Sequence, residues 1–236
     1  MLFLVVLSTA LLWLATTEAP VRHSARAATP VPLMPERVSI AGAAVLGTKG
    51  ARVALIEFSD FECPFSGTFA RDLLPKLYDQ YIESGQMCLV FMHLPLVSLH
   101  AHALAAAEAA ECAGRSGRFW AMHHTLFQRQ ADIGRRSIRQ LAADAGVAVD
   151  TAFDDCLCDV MTRARIADQT ALAYDLGIQA TPTFLLGPIA DNWSVRVVRR
   201  FDRAPSFREV GDAIAAAIGS LEPVLPTTTE ARAGRR

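Results

Sequence analysis

The sequence predicts an α/β fold carrying a helical insertion, on three observations. A strand–helix–strand unit occupies residues 53–92, and an alanine-rich stretch with helical periodicity and no convincing strand runs from 98 to 176. Strand character then returns at 183–186 and 194–198, ahead of a last helix. At 236 residues and 52% hydrophobic, the chain can bury a full core, as one large domain or a domain with an insertion. A net charge of −1 gives no reason to expect nucleic acid or an anionic membrane surface as a partner.

The elements follow in order. Leu2 to Ala15 is almost unbroken apolar sequence, too short for a comfortable membrane span and suited to a signal-peptide core. No Lys or Arg precedes it, while Arg22 and Arg26 follow. Residues 1–28 are therefore expected to be a signal peptide or an N-terminal anchor, the latter giving membrane attachment through residues 2–15. Residues 29–36, with Pro30, Pro32 and Pro35, read as a linker. Val38 to Leu46 is expected to be a short strand turning at Gly47-Thr-Lys-Gly50. The strong strand 52–58 comes next. An amphipathic helix from Pro64 to about Ile82 then lines up Phe69, Leu73, Leu74, Leu77 and Tyr81, with a kink expected at Pro75. Gly85 closes it, and residues 87–92 form a second buried strand.

Helices are expected over 98–113, 117–130, 136–146 and 149–176, with turns at Gly114, Gly134 and Gly146. Phe119, Trp120, Leu126 and Phe127 belong to the core of this block. The strands at 183–186 and 194–198 and a helix over about 207–218 complete the fold. Residues 222–236 lack periodicity and are expected to be disordered.

The chemistry concentrates at Phe61-Glu62-Cys63-Pro64-Phe65-Ser66-Gly67. A thiol where a strand runs into a helix faces the positive end of the helix dipole and unpaired backbone N–H groups, which favour the reactive thiolate. Pro64 suits the first helical position, where its missing N–H is not needed. Ser66 can donate a hydrogen bond to the Cys63 thiolate but cannot close a disulfide with it. Asp60 and Glu62 are negative charges near the thiol and oppose its ionisation. Glu57, six residues earlier, alternates onto the side of Ser59 and Phe61 and is an acid on a hydrophobic strand, either inward-facing or partly solvated at the strand end.

The chain has five cysteines, Cys63, Cys88, Cys112, Cys156 and Cys158, so at least one is unpaired within a monomer; Cys63 is the obvious candidate and Cys88 a buried free thiol. Five of the six histidines lie between His93 and His124, but their spacings do not place two imidazoles on one helical face. No metal site and no cofactor are expected.

Taken in order, Glu57-Phe-Ser-Asp-Phe-Glu-Cys-Pro-Phe-Ser66, Leu99-His-Ala-His-Ala103, Ala109-Ala-Glu-Cys-Ala113, Arg118-Phe-Trp-Ala-Met-His123 and Gln179-Ala-Thr-Pro-Thr183 resemble the DsbA-like family of exported thiol–disulfide oxidoreductases. The resemblance covers roughly residues 37–220. It implies a thioredoxin-like fold, residues 37–97 and 178–221, with an α-helical insertion at 98–177. It gives Cys63 the catalytic role, with Ser66 standing where the family has a second cysteine and Glu57 beneath the motif as a proton carrier. Pro64 and Phe65 would meet substrate, and Thr181-Pro182 matches the family's cis-proline loop, whose backbone pairs with a substrate peptide. A structural disulfide between Cys112 and Cys156 is implied as well, closing a loop of about 45 residues worth about 4 kcal/mol.

The resulting expectation is a monothiol enzyme acting through mixed disulfides with cysteine-containing proteins. It would either isomerise or reduce, or require an external resolving thiol or a small thiol. The alternative is a redox-inactive thioredoxin-fold module that binds peptides or acts as a chaperone. The enzyme reading calls for an exposed Cys63. Export to a periplasmic or other extracytoplasmic compartment makes the disulfide admissible.

Overall fold

A computed structural model describes residues 37–48, 50–190 and 193–219. The expected N-terminal signal or anchor, the linker at 29–36 and the tail at 222–236 lie outside the described residues. Strand β3 (Val53–Ser59) is buried along all seven residues, as its near-continuous apolar sequence requires of a strand covered on both faces. It is hydrogen-bonded on both edges. Strand β4 (Met87–His93) runs parallel on one side, with Val53 opposite Met87. Strand β5 (Thr183–Ala190) runs antiparallel on the other, with Phe58 opposite Thr183.

The edges of the sheet differ from the sequence expectation. The single strand anticipated over 38–46 is two strands, β1 (Arg37–Ser39) and β2 (Ala44–Leu46). Gly42, with φ of 76°, turns the chain between them, and each pairs elsewhere: β1 with β6 (Ser194–Arg196), β2 with β4. The strand expected over 194–198 stops at Arg196. A further strand, β7 (Arg199–Phe201), pairs with the first half of β5, so the order is β1-β6-β5-β3-β4-β2 with β7 also on β5.

The helix leaving Cys63 is interrupted. Segments α1 (Pro64–Thr68) and α2 (Leu74–Leu77) alternate with wide π-type turns at Phe69–Leu73 and Tyr78–Ile82. Pro75 has no N–H to give to the carbonyl four residues back, and the first wide turn lies directly before it. This helix, together with α8 (Phe207–Gly219), covers one face of the sheet, packing Phe69, Leu77, Val210 and Ile214 on Val53, Leu55 and Phe184.

The insertion comprises α3 (Ala103–Arg115), α4 (Phe119–Gln128), α5 (Ile138–Asp144), α6 (Thr151–Cys158) and α7 (Val160–Asp175). The helix expected over 149–176 is two helices. Asp159, extended at ψ 124°, breaks the run and caps α7 by accepting from the Met161 N–H. Ser137 and Gln140 form a reciprocal capping box that starts α5. The insertion has no separate core. Phe119, Met122, Leu126 and Phe127 pack with Phe61 and Phe91 of the thioredoxin-like part, and Phe61 stacks on Phe91 at 5.1 Å. The last helix, α7, closes the opposite face, where Ala173 joins Ile56, Phe58 and Val90. No described helix is long and apolar enough to cross a membrane.

Cys112 and Cys156 are disulfide-bonded, tying α3 to α6. Cys88 is buried mid-strand, its thiol pushed up to about 11 by desolvation, and Cys158 is exposed and free. Replacing both bridged cysteines by alanine is expected to lower unfolding stability by about 2–4 kcal/mol, read from denaturant melts under oxidising conditions.

His123 sits within this core, ringed by Phe61, Phe91, Phe119, Trp120 and Phe127 at centroid distances of 4.9–6.4 Å. Its Nε2 has no hydrogen-bond partner. Burial, followed by the nearby His124 and His93, lowers its pKa to about 3. The unfolded chain therefore takes up a proton near 6.5 that the folded chain refuses until about 3, and stability is lost as pH falls through that window. His123→Phe is expected to remove on the order of 4 kcal/mol of this loss. The measurement is the difference between variant and wild-type unfolding free energies at each pH, in which other groups cancel.

Candidate functional site

Where β3 ends, the chain turns through Asp60–Glu62 and starts α1. Cys63 is the N-cap, with φ −69° and ψ 120°, and Pro64 occupies the first helical position. Because β5 is antiparallel to β3, its entry lies beside this turn. The Thr181–Pro182 bond there is cis, and Thr181 O accepts a hydrogen bond from Cys63 Sγ at 3.1 Å. The thiol is consequently only 4% exposed, not the open thiol that the sequence led us to expect at the helix mouth. The cis-proline loop is what covers it. The S–H···O contact belongs to the protonated thiol; a thiolate has no proton to give to that carbonyl.

Ser66 is three residues on, within the first turn, and fully buried. Its hydroxyl makes no hydrogen bond, to Cys63 or to anything else. With Cys63 protonated and donating to Thr181, the Ser66 hydroxyl makes no bond to its sulfur; the donation expected from the sequence is one to the thiolate. Thr181 Oγ1 is likewise buried and unpartnered. Pro64 and Phe65 point the other way. Both are exposed, Phe65 at 69%, and with Thr181 and the buried Pro182 they flank the thiol.

Glu57 is completely buried on the β3 face shared with Leu55, opposite Phe91 of β4 and Phe184 of β5. It is the inward acid, not the solvated one. Desolvation pushes its carboxyl up to about 8, against a smaller lowering by the Ser59 hydroxyl on the same face. That hydroxyl closes no hydrogen bond of ordinary geometry: both carboxyl oxygens and Ser59 Oγ are without partners. Glu57 is thus a neutral carboxylic acid at pH 7, on the sheet face that the motif helix covers.

Asp60 and Glu62 play a different part from that of loose charges near the thiol. Asp60 Oδ1 accepts the Glu62 N–H at 2.8 Å. Its Oδ2 accepts the Leu96 N–H at 2.8 Å and pairs with His100 Nδ1 at 2.9 Å. Glu62 Oε2 accepts the His102 N–H at 2.6 Å. Two carboxylates of the motif turn therefore hold the segment from Leu96 to His102, which displays Val97 and Leu99 to solvent at 61% and 74% exposure. The available signal was the pairing of the acids before Cys63 with the Leu99-His-Ala-His stretch, whose partnership only the fold reveals.

The Glu57 carboxyl gives a pH test. The unfolded chain releases its proton near 4.5 and the folded chain holds it to about 8, so the folded state binds more protons between those values. Stability is full below pH 4.5, falls as pH rises, and stops falling above about 8. Glu57→Gln is expected to gain on the order of 4 kcal/mol over wild type across that window, measured as paired urea melts.

Comparison with known proteins identifies the family and the fold. The Thioredoxin_4 family, described as thioredoxin, matches residues 40–193. The chain is 32% identical over 156 residues to Na(+)/H(+) antiporter NhaA 3 of Salinispora tropica, covering 66% of this chain and 22% of that protein. The chain thus spans about a fifth of that curated relative. It is 28% identical over 150 residues to disulfide bond formation protein D of Bacillus subtilis, covering 61% of this chain and 68% of that one. Among solved structures, Wolbachia pipientis alpha-DsbA1 superposes with a TM-score of 0.63 at 22% identity, covering 76% of this chain and 92% of that one. Oxidised BdbD of Bacillus subtilis gives 0.64 at 23% identity, covering 78% and 100%. The family match spans well over half of the chain and the superpositions share its fold, so the chain belongs to the Thioredoxin_4 family with the fold of DsbA-like thiol–disulfide oxidoreductases.

Proposed function

We propose that this chain is an exported thiol–disulfide oxidoreductase with one nucleophilic cysteine, Cys63, acting on cysteine-containing proteins through mixed disulfides. The observation that carries the reading is the seating of Cys63 Sγ on the Thr181 carbonyl beside cis-Pro182. A substrate peptide paired along Thr181 would bring its own sulfur to the place where the thiol already points. Export is supported by the Cys112–Cys156 disulfide and the apolar run at residues 2–15.

In the first step Cys63 gives its proton up to solvent and its sulfur attacks one sulfur of a substrate disulfide. The substrate S–S bond breaks, a Cys63–substrate disulfide forms, and the released substrate thiolate takes up a proton. In the second step a thiol attacks the mixed disulfide and Cys63 leaves as thiolate. If the thiol belongs to the substrate, the outcome is isomerisation. A small or external thiol that attacks the Cys63 sulfur instead releases the second substrate thiol and leaves Cys63 bonded to the small thiol; a second such thiol then frees Cys63, and the outcome is reduction. Ser66 cannot carry out this step.

One observation favours a second reading. The closed position of Cys63, 4% exposed, suits a module that holds peptide in the groove without turnover. The two separate cleanly. The enzyme reading expects a disulfide-linked complex with a scrambled protein substrate that withstands denaturant, dissolves in dithiothreitol and is absent from Cys63→Ala. The binding reading expects the alanine variant to retain client affinity undiminished, with no covalent complex from wild type. Ser66→Cys is expected to form an internal bridge to Cys63, three residues apart across the first helical turn, and to confer net oxidation of a reduced peptide. Failure of that variant to bridge would contradict the motif geometry.

A further inference from the structure

A side chain of the insertion reaches the motif turn itself. Gln130, in the short 3-10 turn Gln130–Asp132 that follows α4, is half-buried. Its Nε2 donates to Phe61 O at 2.7 Å and to Cys63 O at 2.8 Å. Both partners are carbonyls, so the amide orientation is fixed by chemistry: only the NH2 end can face them, with one hydrogen for each. Arg71, on the wide turn of the motif helix, donates to Phe127 O at 2.7 Å and lies 3.5 Å from Gln130 Oε1.

These two carbonyls belong to the peptide planes on either side of the Glu62–Cys63 linkage. Holding them leaves the Cα of Cys63 little freedom. The backbone adds one restraint on each side, Cys63 N–H to Asp60 O and Gly67 N–H to Cys63 O. Gly67 shows that room has been kept for this amide. A Cβ on Gly67 would stand 2.4 Å from Gln130 Oε1 and 2.7 Å from Arg71 Nη1, although its own backbone is ordinary helix. Glycine lowers helix stability there relative to alanine, and the close approach of Gln130 accounts for its presence.

We infer that Gln130 is a positioning residue for Cys63, a side-chain amide of the helical insertion that sets the thiol against the cis-proline loop. It acts on the reaction through the Cys63 backbone and touches no reacting atom. The inference rests on the nucleophilic role proposed for Cys63.

The test uses two reagents on the full chain in a Cys158→Ser background, which removes the exposed thiol. Iodoacetamide reports access to the Cys63 sulfur. A short peptide closed by a disulfide reports attack from the aligned pose along Thr181. Gln130→Met keeps the length and removes the donors. It is expected to slow peptide-disulfide exchange about tenfold, in keeping with the sensitivity of reaction rates to small misplacements, while alkylation is unchanged or faster because the turn has loosened. Gly67→Ala, which displaces the amide from the other side, is expected to give the same divergence, and it carries the test alone if Gln130→Met does not fold. The double variant should be no worse than either single one.

Parallel changes in both rates, or effects that multiply in the double variant, overturn the inference. Wild type that forms no mixed disulfide with the peptide, behaving like Cys63→Ala, overturns the nucleophile reading and this inference with it. Wild type that exchanges readily while the single variants match it overturns this inference alone.

Discussion

Phe58 lies opposite Thr183 in the antiparallel ladder of β3 and β5, and the geometry of the site depends on that pairing. In antiparallel strands the end of one lies beside the start of the other. The chain leaving β3 and the chain entering β5 therefore meet at one edge of the sheet, and residues 63 and 181, 118 positions apart, come within a hydrogen bond. A slip of one residue would reverse every side chain of β3, sending Glu57 to the α7 face and Phe58 to the motif face. The burial of all seven β3 residues, with partners on both edges, opposes such a slip. The same register fixes which face the helix from Cys63 must cover.

Against that apolar background the unpaired polar atoms are unevenly placed. Among the described residues, the buried side-chain atoms without partners belong to Glu57, Ser59, Ser66, Thr181 and His123. Glu57 and Ser59 share the β3 face toward the motif helix, while Ser66 and Thr181 lie on the two segments that meet at Cys63. A buried polar group left unmatched costs roughly 1–3 kcal/mol. Leaving two of them, on Ser66 and Thr181, beside one thiol is a departure from local stability of the kind found where a fold serves chemistry. The rest of the sheet and the shared aromatic core of Phe61, Phe91, Phe119 and Phe127 offset it.

Much of this was legible in the chain. The period-two and continuous apolar runs gave β3 and β4 within a residue of their ends, because long buried strands carry strong patterns. The motif, Glu57, the Thr181-Pro182 loop and the cysteines at 112 and 156 were all named from sequence. Short edge strands were misjudged: three-residue β1, β2, β6 and β7 are held by their neighbours, so their own sequence says little. The break at Asp159 was missed because the helical periodicity on either side outweighs one capping acid. At the site, the errors concerned depth and partnership. Local sequence places Cys63 at a helix mouth, but the loop that covers it arrives from a distant part of the chain. Asp60 likewise reads as a bare charge until Leu96 and His100 are brought to it. Gln130 carried no signal at all, since a glutamine after a helix is unremarkable until its two carbonyl acceptors are in view.

The exchange of a thiol for a hydroxyl at Ser66 reaches further than the loss of one bond. In a dithiol site the second sulfur attacks from a held position, where effective concentrations exceed anything an external reagent supplies. On the proposed reading, serine leaves the first step intact and removes that advantage from the second. The lifetime of the mixed disulfide then follows the supply of outside thiol and the path by which it reaches the Cys63 sulfur. That path is narrow, because Thr181 and Pro182 cover the sulfur on one side and the motif helix carries the buried Ser66 on another. The exposed ground beside it is formed by Phe65 on the motif helix and by Val97 and Leu99 on the segment that Asp60 and Glu62 hold. On the proposed reading, an extended, apolar stretch of substrate covering that ground would hold its own second thiol near the mixed disulfide. On that reading, a substrate thiol held beside the mixed disulfide attacks at an effective concentration that a small thiol in solution lacks, and this, with the second motif cysteine gone, inclines the proposed chemistry toward isomerisation.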